Sequence, residues 1–345
     1  YGSDAANGAI IITTKKGKAG VTTVTLSSNT EVLSPFVMPV FQTRYGTGDL
    51  LSGQTNDVLS WGAKLNKLNY RGYDPAEDYF QTGVVGTETV TFSTGTERNQ
   101  TYLSAGAVNS RGIVPNNGYD RYNFTLRNTT NFLNEKLLLD LGASYIIQKD
   151  RNMINQGVYS NPLVSAYLFP RGADWADIEM FERWDPARRI STQWWPTMGQ
   201  DGYQMQNPYW INYRNLRETR KDRYMLNASL TYRILDWLSV AGRIRIDNAN
   251  STFTEKYYAS TNLLLAGSSP NGLYGITKTN DKQTYGDVML NINKTFGDDW
   301  SLQANVGASI SDMQSDALKV RGPIAYGATI GFDKEGNEIK EPNNI

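Results

Sequence analysis

The chain has neither cysteine nor histidine in its 345 residues. The first absence removes disulfides and thiolate metal ligands. The second removes the commonest general base. Together they exclude the usual zinc sites, Ser-His-Asp triads and Cys-His nucleophiles. Carboxylate pairs or lysine are what remains for catalysis. The nearest acidic groups are Asp298-Asp299, Glu77-Asp78 and Glu179 with Glu182, in a turn and in loop-like stretches where a solvated carboxylate is the ordinary state. No enzyme activity, metal or cofactor is expected. An excess of one charge is missing too: 34 basic and 34 acidic residues cancel, so there is no basic face for a nucleic acid. No apolar run approaches the roughly 18 residues of a membrane helix. Lys16-Gly17-Lys18 follows a strand and fits neither nucleotide-binding fingerprint. The run Asp333 to Asn337 lacks the ligand spacing of a calcium loop and reads as a hairpin turn.

What the chain does have is alternation with period two. From Trp300 to Ser311, residues Trp300, Leu302, Ala304, Val306, Ala308 and Ile310 fall on one face, opposite Ser301, Gln303, Asn305, Gly307, Ser309 and Ser311. Such a stretch is a strand with one greasy and one wet face. The same pattern runs through Tyr224 to Ile234, Leu238 to Asp247, Leu137 to Ile147, Tyr122 to Phe132 and, interrupted by Lys294, Val288 to Phe296. Within these stripes arginine stays on the polar side. About nine strands are expected, near 21–33, 87–96, 99–110, 121–133, 136–149, 221–234, 238–258, 283–296 and 299–312.

The connections decide between a soluble sandwich and a membrane barrel. Leu133-Asn134-Glu135-Lys136, Leu235-Asp236-Trp237 and Gly297-Asp298-Asp299 are tight turns, whereas the links at the other end run to dozens of residues. Outer-membrane barrels show this asymmetry. The strands also have about the ten residues a tilted crossing needs, and only a closed sheet or a helix satisfies its own backbone in lipid. Trp237, Trp300 and Phe132 sit beside the tight turns, where an aromatic girdle belongs. The fold class expected is therefore all-β, a transmembrane antiparallel β-barrel in the outer membrane, contacting its lipid. Nine is an odd number and single-chain bacterial barrels close with an even one, so the expectation is part of a larger barrel.

The opening residues, Tyr1-Gly2-Ser3-Asp4-Ala5-Ala6-Asn7-Gly8-Ala9-Ile10-Ile11-Ile12-Thr13-Thr14-Lys15-Lys16-Gly17, read physically as a small-residue loop entering a buried strand. They resemble the end of the plug domain of TonB-dependent transporters, in particular the SusC/RagA family. The resemblance continues through Ser60-Trp61-Gly62, Phe80-Gln81-Thr82-Gly83, Gly112-Ile113-Val114-Pro115-Asn116, Arg121-Tyr122-Asn123 and Asn207-Pro208-Tyr209-Trp210. It implies a plugged barrel of 22 strands, of which residues 1–20 would be the end of the plug. Residues 21–345 would be the N-terminal part of the barrel, with long extracellular loops at 34–86, 150–220, 259–282 and 313–345. It also implies active import of oligosaccharides or peptides beneath a SusD-like surface lipoprotein, driven by TonB acting on an upstream segment. A passive or structural barrel, such as a porin or adhesin, is the alternative, and the plug-like opening argues against it. An outer-membrane enzyme is the weakest reading.

Candidate site residues follow from position. Arg127, Arg233, Arg243, Arg245 and Asp247 face the lumen in this scheme and either line the substrate path or pair with the plug. In the longest loop, Trp175, Trp184, Trp194, Trp195, Tyr203, Tyr209 and Trp210 are interleaved with Arg171, Arg183, Arg188 and Arg189. That composition suits stacking on sugars, anchoring of peptide side chains, contact with a partner, or packing of the loop on itself. Residues 173–184 are expected to form a short helix capped by Asp174, with Trp175, Ile178 and Phe181 along one face.

Overall fold

A computed structural model describes residues 19–51, 59–66, 73–169, 172–195, 205–297, 299–324, 329–332 and 338–340. The plug-like opening, Arg171, Tyr203 and the run Asp333 to Asn337 lie outside these. Nine strands form one antiparallel sheet in the order β1-β4-β5-β6-β7-β10-β11-β12-β13. These are β1 (Thr23–Leu33), β4 (Gly83–Gly95), β5 (Asn99–Arg111), β6 (Gly118–Phe132), β7 (Leu137–Arg151), β10 (Asn215–Leu235), β11 (Leu238–Tyr257), β12 (Leu273–Phe296) and β13 (Trp300–Pro323). Each sheet strand pairs with its neighbours in chain order, a meander without crossovers. Short ladders in the connections are β2 (Gly48–Asp49) with β3 (Ser60–Trp61), β8 (Glu182–Asp185) with β9 (Ile190–Gln193), and β14 (Thr329–Phe332) with β15 (Glu338–Lys340).

Register turns the separate stripes into one surface. Leu103, Leu126, Ala143, Leu226 and Ile246 stand side by side across five strands, and one row further on stand Ala105, Phe124, Tyr145 and Tyr224. The opposite face carries Ser104, Thr125, Ser144, Asn227 and Arg243. Burial then runs opposite to that of a soluble protein. Along β6, Phe124 and Leu126 are exposed while the alternate residues Thr125 and Arg127 are half-buried. The same holds on β11, where Ile244 is 50% exposed. The sheet curls around its polar side and turns its apolar side outward.

The tight turns fall where alternation places them. Leu133, Asn134 and Glu135 all have left-handed φ, between 51° and 67°, which is how so few residues reverse a wide ribbon. Lys294, which breaks the apolar stripe of β12, sits near this end with its ammonium 4.4 Å from the Trp237 ring and 5.0 Å from Phe296. A lysine on a greasy face near a boundary extends its head along aromatic rings toward water.

At the other end the strands outrun their apolar stripes. β12 and β13 have 24 residues each, about 80 Å if fully extended, against an apolar band about 25 Å tall in such barrels. Residues 273–282 and 313–323, expected in loops, are paired strand. The signal was missing because Lys278 to Lys282 and Gln314 to Asp316 are polar on both faces, as befits a ribbon standing in water.

Among the described residues, three of the four helices start by the same device. α1 (Pro75–Asp78), α2 (Pro162–Tyr167) and α4 (Pro208–Arg214) follow Asp74, Asn161 and Asn207, whose side chains accept the N–H of the second helical residue while proline fills the first position. Proline's missing donor costs nothing there and its φ is already helical. The helix expected over 173–184 is shorter, α3 (Ala176–Glu179), followed by β8. Asp174 does accept the Ala176 N–H at 3.1 Å, but β8 pairs with β9 and claims the following residues.

Candidate functional site

Two regions hold the candidate residues. The first is the polar inner face. Arg127 forks onto Asp140, Nε to Oδ1 at 2.9 Å and Nη2 to Oδ2 at 2.7 Å. Arg243 reaches Asp287, its direct neighbour across β11 and β12, at 2.9 Å. Arg223 forks onto Asp247. Each pair bridges two adjacent strands, and bidentate guanidinium–carboxylate contacts are the stronger kind. Sequence reading found Arg127, Arg243 and Asp247 but missed Asp140, Arg223 and Asp287, because their role depends on which strand lies alongside.

Arg245 makes no ion pair among the described residues. With Arg127, Arg243 and Tyr285 it flanks a concavity of about 900 Å³, floored by small side chains that include Ser104, Thr125, Ser144 and Ser229. Gly142 is part of the floor because a Cβ there would stand 2.4 Å from the Asn227 side-chain oxygen. Asp247 does not line this concavity, and Arg233 lies near the turn end, opposite Ser239. The arrangement offers hydrogen bonds and one unneutralised cation, and nothing that would make or break a bond. Among the described residues no group of His, Cys, Asp and Glu is placed to hold a metal ion.

The second region is the body formed by the long connections. Its core joins Tyr73, Tyr79, Val114, Ala166, Phe169, Trp175 and Ile178. Tyr73 stacks on Trp175 with centroids 4.3 Å apart and planes 9° from parallel, while Phe169 meets the same indole edge-on at 4.9 Å. The Gly112–Asn117 hairpin inserts Val114 into this core, and Asn116 Nδ2 donates to the Asn212 carbonyl at 2.8 Å. The polar groups inside are held as irregular backbone requires. Asn207 caps α4 and its amide donates to the carbonyls of Ile178 at 2.8 Å and Trp194 at 3.0 Å.

The loop aromatics singled out above are mostly spent on this packing. Trp210 is fully buried, and its indole N–H donates to the Thr261 hydroxyl at 3.0 Å. Tyr209 accepts from Trp175 Nε1 at 3.0 Å, and burial pushes its phenol up to about 12, against the lowering effect of that bond. Tyr79 is likewise raised by burial, so both phenols stay neutral at physiological pH. Trp195 packs against the core beside Phe169. Trp194 donates to the Asp177 carbonyl at 3.1 Å and lies under the Arg183 guanidinium. Trp184 and Met180 remain turned to solvent, 60% and 58% exposed.

The sheet superposes on the RagAB peptide importer in its closed-closed state with a TM-score of 0.65 and 16% identity, over 94% of this chain and 38% of that one. The open-open state of the same importer gives 0.65 and 17%, over 92% and 37%. In sequence, the TonB-dependent receptor SusC of Bacteroides thetaiotaomicron is 31% identical over 155 residues, 44% of this chain. The chain is similar to SusC-type TonB-dependent receptors. TonB-dependent receptors P39 and P3 of Formosa agariphila agree, at 33% identity over 37% of this chain and 24% over 86%. These relatives are receptors, not enzymes, and the fold is that of a TonB-dependent transporter barrel. The aligned parts span 12%, 28% and 15% of the P39, P3 and SusC lengths and 38% of the matched RagAB chain, so the chain spans only about a third of such a protein's length. No family model matches the chain.

Proposed function

We propose that this chain is the plug-proximal part of an outer-membrane importer for nutrient oligomers, oligosaccharides or peptides, that works with a SusD-like surface lipoprotein and is driven by TonB. The observation that carries the reading is the reversed burial of the sheet: a continuous apolar surface on the exposed side, a charged and hydroxyl-rich surface on the shielded side, with tight turns at one end and a structured loop body at the other. Residues 1–20 are assigned to the end of the plug and residues 21–345 to the first part of the barrel. In this assignment Arg127, Arg243, Arg245 and Asp247 face the path past the plug. The three ion pairs neutralise Arg127, Arg223 and Arg243, so at those positions a polar oligomer meets hydrogen-bonding groups rather than bare cations. The aromatic loop body, with Trp194, Trp195, Tyr209 and Trp210 in its frame, presents the outer surface that meets the lipoprotein or the substrate.

The test is uptake by cells carrying the whole protein. Accumulation of a labelled oligomer that requires this gene, a lipoprotein co-purifying with the barrel and TonB supports the proposal. Uptake that continues without TonB, from a barrel that purifies alone, points to a passive pore and overturns it.

A further inference from the structure

Beyond the apolar band, the outward face of β7, β10, β11 and β12 becomes cationic. Register places Lys149, Arg220 and Lys278 in one cross-strand row with Asp120, Thr252 and Leu318. Lys149 is paired with Glu218 at 2.9 Å and Arg220 with Asp222 at 3.4 Å, both open to solvent. The next two rows up differ. Arg151, aligned with Glu218 and Thr254, and Lys256, one row further on beside Leu216, flank a pocket of about 250 Å³ with the Thr254 side chain and Glu218 between them. Neither Arg151 nor Lys256 has a carboxylate partner among the described residues, and Glu218 is already engaged by Lys149. The Arg151 guanidinium lies over Gly118, where a Cβ would stand 2.9 Å from Nη2.

Height identifies the occupant. Arg151 lies four residues beyond Ile147, the last apolar residue of its stripe, which is about 13 Å along the strand and about 9 Å in elevation at a barrel tilt of about 45°. That is the layer of the outer leaflet's headgroups. We propose that the pocket between Arg151 and Lys256 is a binding site for the phosphate of an outer-leaflet lipid headgroup, with the Thr254 hydroxyl as a further donor. Two unpaired cations and a hydroxyl match an anionic oxygen cluster, and the pocket continues the lipid-facing surface upward. The proposal rests on the barrel reading given above.

The experiment uses the whole protein, purified in detergent and loaded with a phosphorylated lipid A or with the same glycolipid after removal of its phosphates. Native mass spectrometry counts what is retained. The wild type is expected to keep the phosphorylated glycolipid and lose the dephosphorylated one. R151A combined with K256A is expected to weaken retention roughly thirtyfold, the effect of two surface cations, and R151K with native Lys256 is expected to retain it. Equal retention by wild type and double variant, or retention indifferent to phosphate, overturns the site. Displacement by millimolar inorganic phosphate assigns the pocket to free anions and overturns the lipid assignment. Fractionation separates the two readings: a wild type that inserts into outer membranes without phosphate selectivity removes this site alone, and one that does not insert removes the barrel as well.

Discussion

The wall and the loop body solve the same problem in opposite ways. In the loop body Trp175, Phe169 and Ile178 are buried and carboxylates such as Glu77 and Asp177 lie outside, as in any protein folded in water. In the wall Leu126, Leu226 and Ile244 are exposed and Asp140 and Asp287 are buried. One chain therefore carries two solvents' worth of patterning, and the boundary between them runs along the strands. The lesson is that exposure of apolar side chains marks an interface only when it is periodic and continuous across neighbouring strands, as it is here.

Changes that respect one region's rule should violate the other's. The largest effect is expected in the loop body, where W175A removes a stacked and edge-packed indole and leaves a cavity, at about 3–5 kcal/mol. Limited proteolysis should then cut residues 150–214 readily while the barrel keeps its resistance to SDS at room temperature. In the wall, I244R places a cation on the lipid face and should cost about 2–4 kcal/mol, read as a lower urea midpoint for folding into vesicles. S229N, one position along the partner strand and facing inward, should stay within about 0.5 kcal/mol. Breaking the Arg127–Asp140 fork with R127A should cost about 1–3 kcal/mol in the same assay, and the R127A/D140N double variant should recover part of it.

The smallest effect concerns Tyr209. Its phenol is raised from the ordinary value of 10 to about 12, so the folded state favours the neutral form. The resulting stability is fully present below pH 10 and is lost as pH rises toward about 12. Protease sensitivity of the loop body should therefore be flat to pH 9 and climb above 10, with a weaker climb in Y209F.

The strands of the wall were legible in the sequence because lipid on one side and water on the other force alternation. Their upper ends were not, since Lys278 to Lys282 and Gln314 to Asp316 are polar on both faces and Leu273 is buried against Tyr257 and Ala266 rather than along a stripe. Arg127 and Arg243 could be placed inward from parity alone. Their carboxylates could not, because the pairing of Arg243 with Asp287 depends on β12 lying beside β11 in one register. In the loop body the Asx-Pro starts at Asp74, Asn161 and Asn207 are a local signal that the sequence reading passed over. The burial of Trp210 was not legible in the sequence, since it depends on Thr261 arriving from a loop more than fifty residues on.

The central claim is that the alternating wall separates lipid from an aqueous interior. This chain contributes no cysteine, so, with any cysteine elsewhere in the whole protein replaced, spin labels are placed one at a time from Tyr224 to Tyr232 on β10 of that protein in lipid vesicles. The account predicts that labels at 224, 226, 228, 230 and 232 collide with oxygen and are shielded from a water-soluble nickel complex, with the reverse at 225, 227, 229 and 231. Equal accessibility at both sets, or nickel access at the even positions, would contradict it.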